Sequence, residues 1–126
     1  HDRLRAGGRA GLQIITLAED RFAAYRDNID FIRRYIFPGG MLPTKTHLDD
    51  ETRTAGLHFD GSFSFGDSYA ETLHRWYDAF VAAWPQIAVQ GFDERFFRMW
   101  SFYLCGCEAS FRSRATDVVQ IVLSRR

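Results

Sequence analysis

The sequence is poor in cysteine, has no long hydrophobic run and carries no net charge. Its two cysteines, Cys105 and Cys107, are separated by one glycine. Residues i and i+2 of a helix point to nearly opposite sides, so neither a disulfide nor a metal site is expected. Free buried thiols in a reducing cytosol are the favoured interpretation. No stretch approaches the ~20 apolar residues of a membrane span, and no signal peptide is visible.

The basic and acidic residues balance, so net charge does not indicate a polyanionic partner. Sixteen basic residues match sixteen acidic ones over 126 residues, about one domain in length. The total charge therefore gives no basis for binding nucleic acid or an anionic membrane. Aromatic residues reach 16%, with twelve phenylalanines. Such a content suits a core, a partner face or an apolar pocket, and composition does not choose among them.

Apolar periodicity predicts an α/β unit. Strands are expected near 10–17, 56–65 and 116–124, and helices near 20–36, 68–84 and 93–112, with a short helix over 47–53. The first strand is nearly continuous in apolar residues, which is typical of a strand covered on both faces. In the second strand, Gly61 is expected to mark a turn or bulge. Four side chains should then share one side: Leu57, Phe59, Phe63 and Phe65.

Several residues give local signals for helix ends and polar contacts. Ser68 and Glu71 have the capping-box spacing, so a helix should begin at Ser68 and end or be interrupted at Pro85. Asp93 should cap the next helix. Gln13 is the polar exception in the first strand, and hydrogen bonding to neighbouring backbone is the ordinary interpretation. His58 is expected to face solvent rather than a metal.

The stretch from Asp30 to Pro43 starts as a helix and ends as a turn. Asp30, Arg33 and Arg34 lie on its predicted polar side, and Gly39-Gly40 frees the backbone for positive φ. A helix with bulky apolar groups before a stiff glycine-proline turn can form one wall of an apolar cavity. Chemistry alone favours the alternative, an ordinary helix stop over a core.

A family resemblance adds to this interpretation. Short blocks agree in order and spacing over essentially all 126 residues, and the Tyr-Ile-Phe-Pro-Gly-Gly block is the most specific. They make the chain resemble the C-terminal part of a cyclopropane-fatty-acyl-phospholipid synthase, related to the mycolic acid cyclopropane synthases. The blocks are 4–9, 35–43, 65–73 with Trp76, 80–85, 95–99, Tyr103-Leu104 and 107–112.

The resemblance implies a class I methyltransferase fold, of which residues 1–126 form a C-terminal fragment with an acyl-chain-binding helical insertion near 20–55. It implies S-adenosylmethionine as methyl donor, with the cofactor contacts upstream of His1, and no metal. The expected acceptor is the cis double bond of an unsaturated phospholipid acyl chain at a cytoplasmic membrane surface. The resemblance leaves open whether the protein forms a homodimer. The expected substrate-binding residues are Tyr35, Phe37, Gly39, Gly40, Met41 and Leu42.

The resemblance also implies a bound bicarbonate that removes a proton during ring closure. Tyr69 corresponds to the family's tyrosine at this anion site, and Ile15 to the position offering a backbone contact. Gln13 stands where the family has histidine, a departure, since an amide can donate to an anion but cannot take up a proton. A relative that methylates the chain without closing the ring is therefore an alternative, as is a non-catalytic lipid- or partner-binding module.

Overall fold

A computed structural model describes residues 2–126, which form a small sheet with helices on both faces. The strands, helix α5 and the short helix after the turn lie at the predicted positions. The remaining helices begin or end at other residues than predicted. In chain order the elements are β1 (Arg9–Leu17), a 3-10 turn (Glu19–Arg21), α1 (Phe22–Asp27), α2 (Phe31–Tyr35), α3 (Lys45–Thr54), β2 (His58–Ser64), α4 (Gly66–Ala88), α5 (Glu94–Arg112) and β3 (Thr116–Ser124).

Strand β3 is the centre of the sheet. Within residues 2–126 the strand order is β1–β3–β2, and β3 runs antiparallel to both neighbours. This placement accounts for its β-branched sequence, because side chains on both of its faces meet other elements. Strand β1 lies at an edge of this sheet, and Leu12 is 44% exposed. The cover expected on both faces of β1 is present in its second half, where Ile14 and Ile15 pack on opposite faces, and the described residues do not supply it around Leu12.

The core has two parts, one on each side of β3. On one face, which we call the α4–α5 face, Val118 is buried with Leu73 of α4 and Phe111 of α5. On the other face, Val119, Ile121 and Leu123 form a second buried cluster, against which α3 packs through Leu48. Side chains alternate between the faces along a strand, so Gln13 and Ile15 of β1 both lie on the α4–α5 face, beside Gln120 and Val118.

Strand β2 carries a bulge that corrects one prediction. The register shifts between Phe59, which pairs with Leu123, and Gly61, which pairs with Val122. The extra residue, Asp60, reverses the alternation beyond it. Phe59 therefore lies on the α3 side, whereas Phe63 lies opposite Gln120 on the α4–α5 face. The expectation that both phenylalanines share one side was wrong.

The predicted helix over 20–36 is broken in two. Asn28 is extended (φ −125°, ψ 138°), and its side-chain amide donates to the Ala24 carbonyl at 2.8 Å, which ends α1. Asp30 then begins α2 by accepting the Arg33 N–H at 2.8 Å. Short polar side chains compete with the backbone for hydrogen bonds in this way. The spacing of apolar residues does not change at the break, so the periodicity predicted one continuous helix.

The long helices pack against each other as a pair; both predicted ends of α5 are confirmed, and both predicted ends of α4 are wrong. Asp93 caps α5 by accepting the Phe96 N–H at 2.9 Å. Helix α4 begins at Gly66, not at Ser68, because the Asp117 carboxylate of β3 accepts the Gly66 N–H at 3.1 Å. The helix also continues through Pro85 to Ala88.

Aromatic packing accounts for the continuation of α4 past the proline. A proline inside a helix loses one backbone hydrogen bond and strains the preceding turn. Here Trp84, immediately before Pro85, lies 4.8 Å from the ring of Phe97 on α5, and Phe80 stacks on the same ring at 5.5 Å. These contacts hold the last turns of α4 against α5.

Candidate functional site

Two of the three expected anion-site residues come from β1. Gln13 and Ile15 lie on the α4–α5 face, and Ile15 packs against the cluster around Val118. Gln13 is exposed, and its side-chain carbonyl accepts a hydrogen bond from the Gln120 amide at 3.0 Å. Its partner is therefore a side chain on β3 and not neighbouring backbone, which corrects the ordinary interpretation made from the sequence.

Tyr69 is the third residue, in the first turns of α4. Its ring is half-buried in the same apolar cluster as Ile15, 5.1 Å from the ring of Phe111 and 6.1 Å from that of Trp76. Its hydroxyl makes no hydrogen bond within residues 2–126. The structure thus brings Ile15 and Tyr69 to one cluster, with Gln13 one pleat further along the same face.

The start of α4 is already partly neutralised in this chain. An open helix N-terminus attracts anions through its unpaired N–H groups. Asp117 supplies a carboxylate to the Gly66 N–H, and Lys45 in turn donates to the other carboxylate oxygen at 2.9 Å. An anion near Tyr69 would consequently depend on side-chain donors more than on the helix end.

The segment from Tyr35 to Pro43 contacts α5 through Phe37 and Tyr103 and is held on its other side by Tyr25 of α1. Tyr25 accepts the Leu42 N–H through its hydroxyl at 3.1 Å. The guanidinium of Arg33 lies 4.2 Å from the centre of the Tyr25 ring and also donates to the Tyr25 carbonyl. Arg33 is half-buried, so its predicted place on a polar outer side was wrong. These contacts fix the path of the loop that follows α2.

The expected substrate-binding residues form a partly open surface rather than a closed wall. Tyr35, Phe37 and Met41 are each more than half exposed. Gly39 has φ +79°, as the predicted turn requires, and a Cβ on Gly40 would lie 3.1 Å from the Phe37 carbonyl oxygen. Both glycines are thus needed for this loop conformation, and Leu42 is half-buried behind it.

Tyr103 of α5 joins the two sets of residues, and the sequence did not single it out for that role. Its ring lies 6.2 Å from that of Phe37 in an edge-to-face arrangement. Burial raises the pKa of Tyr103 to about 12, and Cys107 and Tyr69 add to the increase. Tyr103 therefore stays a neutral hydroxyl between the exposed loop and Tyr69.

A cleft that the sequence did not predict lies at the end of the sheet. It is an open cleft of about 600 Å³, with aromatic walls and a polar floor. On the floor, Lys45 donates to Asp117 and to the Ser64 hydroxyl at 3.1 Å. These polar groups satisfy one another, and none of the expected site residues lines the cleft.

Metal binding finds no support in the part of the chain the structure describes. No group of three or more His, Cys, Asp or Glu side chains there could hold a metal ion. His58 is half-buried; its Nδ1 lies 2.9 Å from the bulge residue Asp60, and Arg126 donates to its Nε2. It therefore does not simply face solvent.

The two cysteines are free, as expected, but only one is covered. Cys107 is half-buried, and burial raises its pKa to about 11, with a nearby hydrogen bond from Tyr103 opposing the shift and Asp30 adding to it. Cys105 is exposed, which corrects the expectation of two buried thiols. No helix within residues 2–126 is long and apolar enough to cross a membrane.

The fold defines a class: a mixed α/β unit that matches the methyltransferase fold of solved cyclopropane synthases over 95% of the chain. The family model described as mycolic acid cyclopropane synthetase matches residues 1–121. The chain belongs to that family.

The relatives are named for different activities. A tuberculostearic acid methyltransferase of Mycobacterium tuberculosis is 42% identical over 123 residues, covering 97% of this chain and 29% of that protein. A cyclopropane-fatty-acyl-phospholipid synthase of Escherichia coli is 41% identical over 101 residues, covering 78% of this chain and 25% of that protein. The chain thus spans less than a third of these relatives.

Solved structures agree with the fold. A mycolic acid cyclopropane synthase, CmaA1, solved with SAH and CTAB, superposes with a TM-score of 0.82 at 30% identity, over 95% of this chain and 45% of that one. The cyclopropane synthase MmaA2 from Mycobacterium tuberculosis gives 0.81 at 28% identity with the same coverage.

Proposed function

We propose that the parent protein transfers a one-carbon unit from S-adenosylmethionine to the cis double bond of an unsaturated phospholipid acyl chain and closes a cyclopropane ring. The family and the activities for which its relatives are named support this proposal. The observation that carries it is the free hydroxyl of Tyr69, which shares the α4–α5 face with Gln13 above an apolar, aromatic cluster.

The surroundings suit the intermediate that such a transfer creates on the lipid. S-adenosylmethionine supplies the methyl group, and its contacts are proposed to lie in the part of the family's length that this chain does not span. Attack by the alkene leaves positive charge on the acyl chain, and aromatic faces tolerate such charge without reacting with it. Tyr69 lies among such rings, those of Phe111 and Trp76.

Ring closure then requires that one proton leave the lipid. We propose a bound bicarbonate as its acceptor, held by the Tyr69 hydroxyl, the Gln13 amide and the backbone at Ile15. The residues fit an anion because Tyr69 and Gln13 both offer uncommitted N–H or O–H donors on one face. Neither residue takes up the proton itself at neutral pH.

The second candidate is methyl transfer without ring closure. It is favoured by the 42% identity to a tuberculostearic acid methyltransferase. Gln13, in place of the family's histidine, leaves the product open, because the methylated cation must lose a proton in either case: from the added carbon to close the ring, or from a neighbouring carbon to leave an alkene. Lipid mass spectrometry of cells that express the full-length gene would show the added carbon in either case. Upfield cyclopropane protons in NMR spectra would identify the ring, and their absence beside a mass gain would support methylation. No gain in unsaturated chains would refute both.

The lipid chain is proposed to reach the site along the loop from Tyr35 to Leu42, from a cytoplasmic membrane surface that the protein touches peripherally. Exposed Tyr35, Phe37 and Met41 provide apolar contact for it. If the protein is instead a non-catalytic lipid-binding module, neither the wild type nor a Tyr69 variant will transfer carbon to lipid. Calorimetry with S-adenosylmethionine on the 126 residues alone should show no micromolar binding.

Tyr69→Phe tests the anion site directly. Only a hydroxyl is lost, so the fold should persist, while a hydrogen bond to an anion is worth roughly tenfold or more in rate. Carbon transfer by the full-length protein should fall accordingly. Tyr77→Phe is the matched control, because Tyr77 lies on the same helix and packs against the same cluster. Equal rates for the Tyr69 variant and the control would contradict the assignment.

A further inference from the structure

Gln120 on β3 lies directly opposite Gln13 on β1. The two residues are register partners, so their side chains emerge on the same α4–α5 face. The pairs on either side on this face are apolar: Ile15 with Val118, and Gly11 with Val122. Among residues 2–126, Gln120 is accordingly the polar neighbour that the Gln13 side chain meets across the strands.

The hydrogen bond holds the Gln13 amide beside β3, and in the arrangement observed the amide oxygen faces Gln120. Gln120 donates its amide N–H to the Gln13 side-chain carbonyl at 3.0 Å. The acceptor end of the Gln13 amide is thereby occupied, and its NH₂ group, with two hydrogens, is turned outward. An amide without this anchor can rotate about its last bond and present oxygen or nitrogen. An outward oxygen would repel an anion, whereas an outward NH₂ group binds one.

We infer that Gln120 is a positioning residue for the anion site: it orients the Gln13 amide so that its N–H donors face the anion that Tyr69 also contacts. The inference rests on the proposed function, because it concerns the same anion. Gln120 acts through Gln13 and does not touch the reacting atoms. A neutral hydrogen bond of this kind corresponds to roughly a fivefold preference for the Gln13 side chain held beside β3 over the unpaired side chain.

The test uses the full-length protein and Gln120→Met, which keeps the length of the side chain but removes its donor. The half-saturating bicarbonate concentration should rise about fivefold. The KM for S-adenosylmethionine and the rate at saturating bicarbonate should stay unchanged. Gln90→Met is the matched control: Gln90 is an exposed glutamine beyond α4 whose amide donates to the Gln86 carbonyl, away from the sheet.

A double-mutant comparison separates positioning from packing. In a Gln13→Ala background, Gln120→Met should have no further effect on bicarbonate, because the amide that it orients is gone. An equal effect in that background would overturn the inference. The inference would also be overturned if Gln120→Met responded to bicarbonate in the same way as the wild type.

A second readout does not depend on turnover. Bicarbonate, compared with chloride at equal ionic strength, should raise the thermal unfolding midpoint of the wild type more than that of Gln120→Met. If this difference appears while no carbon reaches lipid, the orienting role of Gln120 stands and the proposed function fails. If carbon is transferred but bicarbonate affects neither midpoint nor rate, the proposed transfer stands and the inference on Gln120 fails.

Discussion

Asp117 is predicted to stabilise α4 from across the sheet. One carboxylate oxygen accepts the Gly66 N–H at 3.1 Å, and the other accepts from Lys45 at 2.9 Å. Loss of a helix cap costs ~1 kcal/mol. The ion pair adds less, between about 0 and 1 kcal/mol, because the Lys45 side chain is 59% exposed and screened by water. Asp117→Ala should therefore lower the free energy of unfolding by about 1–2 kcal/mol.

Asp117→Asn separates the two contributions. The amide oxygen can still accept the Gly66 N–H, so only the ion pair with Lys45 is lost. Urea unfolding followed by circular dichroism at neutral pH should rank the wild type, the Asn variant and the Ala variant in falling stability. If the Ala variant is within about 0.5 kcal/mol of the wild type, the range of an ordinary surface change, then Asp117 does not cap α4.

The pH dependence gives an independent check. Burial alone would raise the pKa of Asp117, but hydrogen bonds from Lys45, Ser64 and the Gly66 N–H outweigh it and leave the pKa below its ordinary value of 3.8. A depressed pKa means that the stabilisation is fully present above the unfolded-state pKa and is lost as pH falls through the folded-state pKa. The gap between wild type and Asp117→Asn should thus be constant near neutrality and shrink below pH 3.8. A gap that persists in strong acid would contradict this account.

Further changes test the helix pair and the thiols. Asp93→Ala removes the bond to the Phe96 N–H and should cost ~1 kcal/mol in urea unfolding, whereas Asp93→Asn should restore most of it; equal losses would argue against capping. Phe111→Ala empties the buried cluster and should cost ~3–5 kcal/mol by the same assay, and a loss under ~1 kcal/mol would mean that the site collapses freely. At pH 8, peptide mapping after iodoacetamide should show Cys105 labelled well before Cys107, whose pKa is about 11; comparable labelling would refute its burial.

Much of the fold was predictable because local periodicity sets it. The stripes of α4 and α5 and the β-branched run of β3 each bury one coherent face, and these elements appear near the predicted positions. The errors lie where distant partners decide. Helix α4 begins at Gly66 because its cap comes from Asp117, 51 residues away, and no local spacing reports such a partner. Ser68 has the capping-box pattern but loses to it.

Strand β2 shows a different limit. Gly61 was a correct signal for irregularity, yet one extra residue is enough to reverse every side chain beyond it. Phe63 thereby moves to the α4–α5 face, next to Gln120. Pattern alone cannot count the residues in a bulge, because the count is fixed by pairing with β3.

The candidate site depends on pairing in the same way. Tyr69 and Gln13 were identified by resemblance, and the fold explains how residues from β1 and α4 reach one face. Strand β3 pairs with β1, and Val118 of β3, opposite Ile15, belongs to the cluster against which Tyr69 packs. Gln120 lies two residues along β3 from Val118, a single polar residue in an otherwise apolar run. Its meaning appears only once the antiparallel register sets it opposite Gln13. A sequence reader could have noted that two strands each hold one glutamine among apolar residues. Such residues can become register partners in an antiparallel sheet, and here the register sets them opposite each other with one hydrogen bond between their amides.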